Sequence, residues 1–524
     1  MATQAITGAA SIVSHNPATG EALAELPCAS PEDVRAAVQR AREAQPRWQA
    51  TPVSQRVATV RRFQQLLLER RDDVARLISR EAGKPAAEAL ATEVMVVLDA
   101  AEFCILTAHA FLRDRPLPHS NLAMKTKRGK LVREPYGVVG IIAPWNYPFS
   151  IPAIETLAAL VTGNAVVLKP SELTPLVALE LERLFATAGL DKSLMQVVVG
   201  EGPVGAALIE SPIDKLIFTG SVATGKRVGE AAARKLLPVV LELGGKDPMI
   251  VLEDADLEIA TSAAMWGAFM NAGQTCLSVE RCYVHRSLYE PFLEKCCEKI
   301  ARLRVGNGIG SEVEIGPMIH ERQVKIVETQ VNDAVQRGAR LLAGGKRLTE
   351  LGGSFYAPTL LADVTADMKV MQEETFGPVL PVAPFDTDED AVRLANDSEF
   401  GLAASVWTRN RRRGEAMAAK IKAGTVMLND MISCFGIAEA PHGGFKQSGI
   451  GRTHGEMGLE EMVQTKYVDV DLMPRMAKVW WFGYSKVYRE QMGGFVDFLF
   501  AKGLTARLKG ALRASGLFRR SNRI

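Results

Sequence analysis

The sequence VVGII at residues 138–142 is followed by AVVL at 165–168, QVVV at 196–199 and KLIF at 215–218. The residues between these short apolar runs carry helical patterns. Apolar runs rich in β-branched residues that alternate with helices are typical of a parallel sheet covered on both faces. This part of the chain therefore predicts a doubly covered α/β domain.

A second block of the same kind follows. MIVL at 249–252, RCYV at 281–284, VLPV at 379–382 and ASVW at 404–407 have the composition of buried strands. Upstream, residues 31–112 place apolar side chains at spacings of three and four, which predicts amphipathic helices. With 524 residues, the chain exceeds the size at which one hydrophobic core keeps growing. We therefore expect two α/β domains.

The composition excludes several classes of protein. Apolar residues make up 47% and charged residues 23% of the chain, which is typical of a globular protein and not of a disordered one. The seven cysteines lack the paired spacing of a zinc ribbon or a CxxC motif, so we expect no metal site, and reduced thiols in the cytoplasm. We find no secretory signal pattern and no apolar run long enough to span a bilayer.

Charge is divided unevenly along the chain. Residues 475–524, here called the tail, contain eleven Lys or Arg and two acidic residues, whereas the rest contains 51 basic and 58 acidic residues. The tail also contains nine of the 33 aromatic residues, among them the run Trp480-Trp481-Phe482. The tail is therefore compositionally separate from the two domains.

Three polar residues provide the parts of a covalent mechanism. Cys276 closes the segment NAGQTC, Glu242 begins ELGGK, and Asn146 lies in PWNYP. A deprotonated cysteine is a strong nucleophile, a carboxylate can act as a general base, and an amide can donate to a developing oxyanion. We therefore predict covalent catalysis by Cys276.

Six segments together carry a resemblance to a known family. They are PWNYPF at 144–149, KPSE at 169–172, FTGS at 218–221, ELGGK at 242–246, GQTC at 273–276 and EETFGP at 373–378. In this order and spacing they resemble the NAD(P)-dependent aldehyde dehydrogenase superfamily over about residues 15–470. The resemblance implies oxidation of an aldehyde to a carboxylic acid through a cysteine thiohemiacetal and thioester. It also implies a Rossmann-like cofactor-binding domain, an α/β catalytic domain and a small β oligomerisation element.

The same resemblance implies the domain boundaries. The NAD-binding domain is expected at 1–117 and 136–243, the catalytic domain at 244–449, the oligomerisation element at 118–135 and 450–474, and the basic aromatic tail at 475–524. A homodimer or homotetramer is implied.

The family resemblance also assigns catalytic roles. Cys276 attacks the aldehyde carbon, Asn146 donates to the oxyanion, and Glu242 deprotonates the water that hydrolyses the thioester. Glu456, in GEMG, lies where the family often has a second carboxylate that assists proton transfer. Glu155 is a departure, because many members have lysine nine residues after the oxyanion asparagine. Either Glu155 has a different local partner in this chain, or Glu456 takes part in proton transfer through a water molecule instead of a lysine.

A nicotinamide cofactor is implied in the same way. Lys169 and Glu172 resemble the pair that contacts the adenine ribose, and an acid there accepts hydrogen bonds from free hydroxyls and repels a 2′-phosphate. NAD is therefore preferred, with NADP possible. The remaining implied contacts are Ile142, Trp145, Ser171, Gly220, Ser221, Gly225, Leu243, Gly244, Glu374 and Phe376. We interpret the GxGxxG match at 200–205 as a turn bordering the adenine side.

The family register also implies an apolar aldehyde tunnel. Its implied lining is Tyr147, Ile154, Met270, Leu277 and Phe435. A distal carboxylate on the substrate needs a cation, and none is evident unless Arg281 or a loop residue reaches in. We therefore expect medium-chain, long-chain or aromatic apolar aldehydes. The alternatives are a semialdehyde or amino-aldehyde dehydrogenase, and a catalytically silent structural or regulatory member.

The tail combines aromatic, apolar and basic residues, which is the pattern of an interfacial membrane anchor. Gly493 and Gly494 are expected to divide it into two helical pieces. We weigh two interpretations equally: peripheral attachment to the cytoplasmic face of an anionic membrane, and an amphipathic helix packed on a partner subunit. Nucleic acid fits least and is not expected as a partner.

Overall fold

The computed structural model describes residues 10–310, 312–476 and 478–517. The first nine residues of the expected NAD-binding domain and the last seven of the tail lie outside this description, as do residues 311 and 477. The chain divides into two compact units: Met1–Phe111 with Pro135–Gln464, and Leu112–Glu134 with Thr465–Ile524. We call them the larger and the smaller unit.

The strands follow the predicted positions closely. In chain order they are β1 (Ser11–His15), β2 (Ala22–Pro27), β3 (Arg115–Leu117), β4 (Lys127–Pro135), β5 (Val138–Ile142), β6 (Ala165–Lys169), β7 (Met195–Val197), β8 (Lys215–Thr219), β9 (Val239–Glu242), β10 (Asp247–Val251), β11 (Val279–His285), β12 (Arg340–Ala343), β13 (Thr359–Ala362), β14 (Val379–Phe385), β15 (Ala403–Trp407), β16 (Thr425–Leu428), β17 (Gly449–Ile450) and β18 (Val463–Asp471). All eight predicted apolar runs overlap a strand.

The helices cover the predicted helical region 31–112 and both sheets. In chain order they are α1 (Pro31–Ala50), α2 (Val53–Glu69), α3 (Arg71–Ala82), α4 (Ala86–Ala89), α5 (Met95–Phe111), α6 (Ser150–Thr162), α7 (Pro175–Thr187), α8 (Gly202–Glu210), α9 (Val222–Arg234), α10 (Leu257–Phe269), α11 (Tyr289–Ile300), α12 (Glu321–Gln336), α13 (Lys369–Gln372), α14 (Asp388–Asn396), α15 (Arg411–Ala418), α16 (Gly455–Glu460), α17 (Lys486–Phe500) and α18 (Leu504–Ala514). A π-helical turn, Leu90–Val94, joins α4 to α5.

The first sheet of the larger unit has the strand order β17-β9-β8-β5-β6-β7, and its strands are parallel except for β17. Val138, Val139 and Ile141 of β5 are fully buried, as expected for a strand covered on both faces. From β5 the chain moves outward to β7 and then returns to the other side of β5 as β8. Ligands of open α/β sheets bind at such a reversal, beyond the carboxyl ends of the strands.

The second sheet of the larger unit has the order β12-β13-β14-β11-β10-β15-β16, with only the β12-β13 pair antiparallel. Glu242 ends β9 in the first sheet and Asp247 begins β10 in the second, so the segment ELGGK links the two sheets. Cys276 lies just before β11. The predicted α/β architecture is confirmed, and the link and the thiol both lie where the two sheets connect.

The smaller unit contains a sheet of order β18-β4-β3 and a hairpin of α17 and α18. Phe495, Ala514 and Leu517 form the core of this hairpin. The prediction that Gly493 and Gly494 interrupt the helix is wrong, because α17 continues through both residues. None of the helices in the described parts of the chain has the length and apolar character needed to cross a bilayer.

Candidate active site

A cavity of about 550 Å³ opens at the strand reversal of the first sheet. Its lining includes seven of the predicted cofactor-binding residues: Ile142, Trp145, Lys169, Ser171, Glu172, Gly220 and Ser221. The residues of this strand-end cavity come from the carboxyl ends of β5, β6 and β8 and from α8 and α9. The topology therefore brings together residues that are up to 89 positions apart in the sequence, from Ile142 to Ala231.

The polar groups of the strand-end cavity suit a dinucleotide. Lys169 Nζ lies 3.5 Å from Glu172 Oε2, and the Lys169 side chain is buried while that of Glu172 is partly exposed. Ser221 is the N-cap of α9, which places the positive end of the helix dipole at the cavity. An acid for ribose hydroxyls and a helix N-terminus for phosphate are both present, so the residues fit an NAD-type cofactor.

Some residues of this cavity were not predicted, and one predicted cofactor residue, Gly225, has a packing role instead. Gly202 and Gly205, from the GxGxxG match interpreted as a turn, line the cavity, as do Thr224 and Arg227. Gly225 does not line it: a Cβ there would lie 2.4 Å from Leu243 Cδ2, so the glycine allows α9 to pack on the segment after β9. The GxGxxG match at 200–205 is the sequence signal by which Gly202 and Gly205 could have been identified as cavity residues.

A second cavity, of about 290 Å³, shares residues 144–145 and 219–221 with the first and contains the cysteine. We call it the thiol cavity. Predicted site residues in its lining are Trp145, Asn146, Gly220, Ser221, Glu242, Leu243, Gly244, Cys276, Glu374 and Phe376. The structure therefore brings the proposed nucleophile, base and amide donor to one cavity that shares lining residues with the strand-end cavity.

The two glycines of ELGGK lie so close to Glu374 and Cys276 that a side chain would not fit at either position. A Cβ on Gly244 would lie 2.7 Å from the Glu374 carboxyl oxygens, and one on Gly245 would lie 2.2 Å from the Cys276 carbonyl oxygen. The Gly245 amide donates to Glu374 Oε1 at 3.0 Å. Glycine at both positions thus lets the link between the sheets pass directly beside the Glu374 carboxyl and beside residues 270–276, which we call the nucleophile loop after the predicted role of Cys276.

The loop before Cys276 is held in an unusual backbone conformation. Asn271 and Ala272 have φ values of 52° and 53°, in the left-handed region that non-glycine residues seldom adopt. The Gln274 carbonyl accepts from Asn146 Nδ2 and from Asn271 Nδ2, both at 3.1 Å. These bonds fix the Asn146 amide beside the nucleophile loop, and its second N–H has no acceptor among the described residues. Asn271 and Gln274 were not predicted as site residues.

The model of the aldehyde dehydrogenase family matches residues 5–468, nearly the whole chain. The chain belongs to the aldehyde dehydrogenase family. It is an NAD(P)-dependent aldehyde dehydrogenase with the fold implied by the sequence resemblance.

Relatives with different named substrates are similar to this chain. A 4,4'-diapolycopene aldehyde oxidase of Methylomonas sp is 39% identical over 493 residues, which cover 94% of this chain and 92% of that protein. A protein of Mycobacterium ulcerans named as an NADP(+) succinate-semialdehyde dehydrogenase is 40% identical over 453 residues, 86% of each chain. The NAD+ complex of an aldehyde dehydrogenase from Bacillus cereus has a TM-score of 0.85 at 38% identity, over 88% of this chain and 94% of that one. These names leave the substrate and the preferred cofactor open.

In this aldehyde dehydrogenase the thiol lies among acids. Burial raises the pKa of Cys276 well above its ordinary value, and the carboxyl groups of Asp247, Glu374 and Glu242 add to the rise. The cysteine is therefore a protonated thiol in these surroundings, and its activation requires a proton acceptor or a positive charge nearby.

Glu242 is almost fully buried at the end of β9. Burial raises its pKa well above the ordinary value, the nearby Glu155 raises it further, and Arg452 lowers it. His442 Nε2 lies 3.6 Å from Glu242 Oε2, and burial lowers the pKa of His442 to about 4, so this imidazole is neutral. A carboxyl with a raised pKa has the basicity that general-base catalysis near neutral pH needs.

The structure does not bring Glu456 to this group. Glu456 is exposed in the first turn of α16, whereas Glu155, His442 and His454 are buried near Glu242. The histidines reach this place because β17 pairs with β9, with Gly449 opposite Glu242. A two-residue strand at this sequence separation gave no detectable signal in the sequence.

The predicted tunnel residues are all buried or half-buried, but they do not form one lining. The Tyr147 ring lies 6.1 Å from that of Phe435, and its hydroxyl bonds Thr275 Oγ1 at 2.9 Å. Met270 and Leu277 are buried in the same apolar cluster. Ile154 instead lines a small buried cavity with Glu155. Apolar contacts near the nucleophile loop therefore come mainly from Tyr147 and Phe435.

Cations near these residues are already bound within the protein. Arg281 donates to the backbone carbonyls of Lys246, Leu394, Ala395 and Asp397, so it does not reach the thiol cavity. Lys84 forms a buried 2.6 Å ion pair with Glu93 and donates to the Asn146 carbonyl.

Proposed function

We propose that this chain oxidises medium-chain, long-chain or aromatic apolar aldehydes with NAD, through a thiohemiacetal and a thioester on Cys276. One observation carries the proposal: Cys276, Glu242 and Asn146 line a single cavity that shares lining residues with a cavity built for a dinucleotide. A catalytically silent role would not require this convergence of nucleophile, base and amide donor.

The first step uses the thiol and the amide. The Cys276 thiol releases its proton to solvent as sulfur bonds to the aldehyde carbon, and negative charge develops on the former carbonyl oxygen, so that Glu242 is still a carboxylate when the second step begins. The free N–H of Asn146 is oriented by its bond to the Gln274 carbonyl and donates to that oxygen. When bound, the nicotinamide cofactor supplies the acceptor for the hydride that leaves the thiohemiacetal carbon.

The second step releases the acid. Glu242 removes a proton from water as the water oxygen bonds to the thioester carbon, the C–S bond then breaks, and the Cys276 thiolate takes the proton from Glu242. The raised pKa of Glu242 suits this role, because a weak acid is a better proton acceptor than an ordinary glutamate. In a Glu242→Gln variant we expect a retained burst of hydride transfer followed by slow turnover.

Two observations support NAD as the preferred cofactor. Glu172 lines the strand-end cavity and is half-exposed there, where a 2′-phosphate would meet its negative charge. Lys169, the cation beside it, is already within 3.5 Å of that carboxylate. Arg227 also lines this cavity, and we expect its guanidinium to pair with the 2′-phosphate when NADP is bound.

The apolar substrate class is supported by the charges around Tyr147 and Phe435. Arg281 and Lys84 are bound to protein groups, so neither is free to pair with a distal carboxylate of a semialdehyde. The Methylomonas relative is named for the aldehyde of a hydrocarbon, which agrees with this class. The Mycobacterium relatives named for succinate semialdehyde favour the alternative.

A substrate panel tests the proposal directly. NADH or NADPH formation is measured with hexanal, dodecanal, benzaldehyde, succinic semialdehyde and an amino-aldehyde at equal concentrations. We expect kcat/KM to be highest for dodecanal or benzaldehyde with NAD. Highest activity with succinic semialdehyde would contradict the apolar class, and no activity with any aldehyde would contradict catalysis.

We also propose that the hairpin of α17 and α18 attaches the enzyme to an anionic membrane surface, which would bring apolar aldehydes to it. Leu504, Leu508 and Leu512 form a stripe on α18 and are 55–75% exposed. The tail around them carries a large positive charge. An exposed apolar stripe with surrounding cations is the arrangement of interfacial helices. The Methylomonas match covers 94% of the chain, so it includes part of the tail.

Vesicle flotation tests the membrane proposal. The full chain is mixed with vesicles of phosphatidylcholine alone or with 30% phosphatidylserine, at low and high salt. We expect binding to the anionic vesicles only, and loss of binding when Leu504, Leu508 and Leu512 are changed to Ser. Ser variants at Leu341, Leu351 and Ile326, exposed in the larger unit, are the control. Equal flotation of the Leu504 triple variant would contradict the proposal and favour subunit contact, which light scattering detects as a change of oligomer.

A homodimer or homotetramer stays a prediction. The sheet β18-β4-β3 leaves one side of β18 without a neighbouring strand among the described residues, which is the kind of edge that subunits extend. Light scattering of the full chain gives the oligomeric number.

A further inference from the structure

Behind the thiol cavity, Glu242 and Glu155 form a pair of buried carboxyl groups. Each residue is less than 5% exposed. Thr219 is the neighbour of Glu242 across the β8-β9 pair, and its Oγ1 donates to Glu155 Oε1 at 3.4 Å. Neighbouring strands are about 4.8 Å apart. Glu155 therefore reaches the residue directly beside Glu242, and the two carboxyl groups are close neighbours.

The polar atoms of this pair are not satisfied by the protein. Both Glu242 oxygens, Glu155 Oε2 and His454 Nε2 are buried without a hydrogen-bond partner among the described residues. A buried cavity of about 20 Å³ is lined by Glu155, Thr453 and His454. One water needs roughly 10–15 Å³ and two or more polar partners. The cavity therefore has the volume and the partners to hold a water between Glu155 Oε2 and His454 Nε2.

One cation acts against the raised pKa of this pair. Burial and Glu155 raise the pKa of Glu242, although Arg452 lowers it, and Arg452 Nη1 donates to the carbonyls of Gly444 and Gly451. Other titratable groups lie on the elements packed around Glu155 and Glu242. The acids and thiols among them are Glu461, Glu93, Cys104, Cys276 and Cys434, and the bases are His442, His454, Lys215 and, at the far end of α6, Arg56. Two adjacent buried carboxylates are costly to ionise together, because burial and the charge of each raise the pKa of the other.

We propose, on the basis of the proposed function, that Glu155 and Glu242 share a single proton, and that Glu155 is a positioning residue that sets the basicity of Glu242 in thioester hydrolysis. While Glu155 keeps the shared proton, the Glu242 carboxylate takes a proton from water. The water oxygen bonds to the acyl carbon, the C–S bond breaks, and the proton on Glu242 passes to the Cys276 thiolate. Burial raises the pKa of Glu155 to about 8, which agrees with its role as the protonated partner.

The test uses p-nitrophenyl acetate without cofactor, which separates hydrolysis from hydride transfer. The ester acetylates Cys276 and releases p-nitrophenolate in a burst, after which turnover proceeds at the rate of thioester hydrolysis. The steady rate is measured from pH 5 to 10 in the full chain, and its acidic limb reports the ionisation of the carboxyl pair.

Three variants at position 155 give a graded prediction. Replacing Glu155 with Gln removes the acid that shares its proton with the Glu242 carboxylate, and we expect the acidic limb to move to higher pH by about one unit. Glu155→Asp keeps the acid and leaves the limb below that of Glu155→Gln, whereas Glu155→Lys adds a positive charge and moves the limb to lower pH than in either. Glu81→Gln removes a buried carboxyl elsewhere, at the N-terminus of α7, and leaves the limb unchanged.

The outcomes distinguish the inference from the proposed function. The shared proton would be overturned if the acidic limb lay at the same pH in the unmodified chain and in all three position-155 variants, with the burst intact. Absence of the burst in the unmodified chain would instead overturn the role of Cys276. If Glu155→Gln does not fold, the order of the Glu155→Asp and Glu155→Lys limbs decides: the limb of Glu155→Lys has to lie lower.

Discussion

The thiol cavity of the larger unit and the hairpin of the smaller unit depart from ordinary protein architecture in opposite directions. Around Cys276, the acids Glu155, Glu242 and Asp247 are buried with carboxyl oxygens that lack partners among the described residues. On α18, Leu504 and Leu512 are about three-quarters exposed. The first region buries acidic side chains away from water, whereas the second exposes apolar side chains to water.

Both departures cost folding stability, and that cost indicates function. A buried carboxyl without a partner is unfavourable by several kcal/mol if ionised, so it is retained where a raised pKa is useful. An exposed apolar stripe is unfavourable in water and is retained where it contacts another apolar phase. The comparison teaches that the buried acids and the exposed apolar stripe lie in separate units of the chain, so we expect that each can be disrupted without the other.

Removal of the thiol is the strongest way to test that separation. We expect Cys276→Ala to lower aldehyde-dependent NADH formation by about a thousandfold or more, because the nucleophile is lost. Vesicle binding should stay unchanged. Cys297→Ser, a half-buried cysteine on α11, is the matched control and should keep full activity. Turnover of Cys276→Ala at the normal rate would contradict covalent catalysis.

Loss of the amide donor is expected to have a smaller effect. Asn146→Ala should reduce kcat by about a hundredfold, the usual consequence of losing one oxyanion donor. KM should change less, because the charge on oxygen develops in the transition state. Asn271→Ala is an informative comparison, since its amide bonds the same Gln274 carbonyl but was not assigned to the oxyanion. A larger loss of kcat for Asn271→Ala than for Asn146→Ala would reverse the assignment.

Sequence reasoning succeeded where the signal is local. The run Val138–Ile142 became β5 with the predicted bounds, and the segments that contain Glu242 and Cys276 reached one cavity. The family resemblance supplied the order of these segments, and the β-branched composition supplied the strands.

Sequence reasoning failed where contacts between residues far apart in the sequence determine the structure. His442 and His454 join Glu242 only because a two-residue strand, β17, pairs with β9, and no local pattern marks such a strand. The expected break at Gly493-Gly494 is absent, because the packing of α17 on α18 outweighs the low helix propensity of glycine. Tertiary contacts of this kind are not encoded in any single window of sequence.

The buried acids predict a pH dependence of stability that the hairpin lacks. The folded-state pKa of Glu155 is raised to about 8 from an ordinary value near 4.5 by burial. For a raised carboxyl, stability is fully present below pH 4.5 and is lost as pH rises through 8. One such proton contributes a slope of up to about 1.4 kcal/mol per pH unit between these values. Urea unfolding of Glu155→Gln at pH 5.5, 6.5 and 7.5 should therefore show a shallower decline than the unmodified chain.

An exposed acid with the opposite shift is the control for this measurement. Hydrogen bonds from Lys299 and Lys295 lower the pKa of Glu258 to about 2, so its contribution is lost only as pH falls through that value. Glu258→Gln should leave the slope between pH 5.5 and 7.5 unchanged. Equal slopes for Glu155→Gln and the unmodified chain would show that Glu155 does not carry the proton that burial implies.

The smallest effect is expected inside the hairpin, at the two adjacent glycines of α17. A Cβ on Gly493 meets nothing within 4 Å, so Gly493→Ala should stabilise the helix by about 0.5–1 kcal/mol through its better helix propensity. A Cβ on Gly494 would lie 2.8 Å from the Gly510 carbonyl oxygen and 2.9 Å from the Ala514 nitrogen. Gly494→Ala should therefore separate α17 from α18 and outweigh its gain in propensity. Hydrogen exchange of the α17 and α18 amides measures both variants, with protection rising in the first and falling in the second. Increased protection in both would mean that the helices do not pack through Gly494, and the exposed leucine stripe on α18 would then need a different explanation.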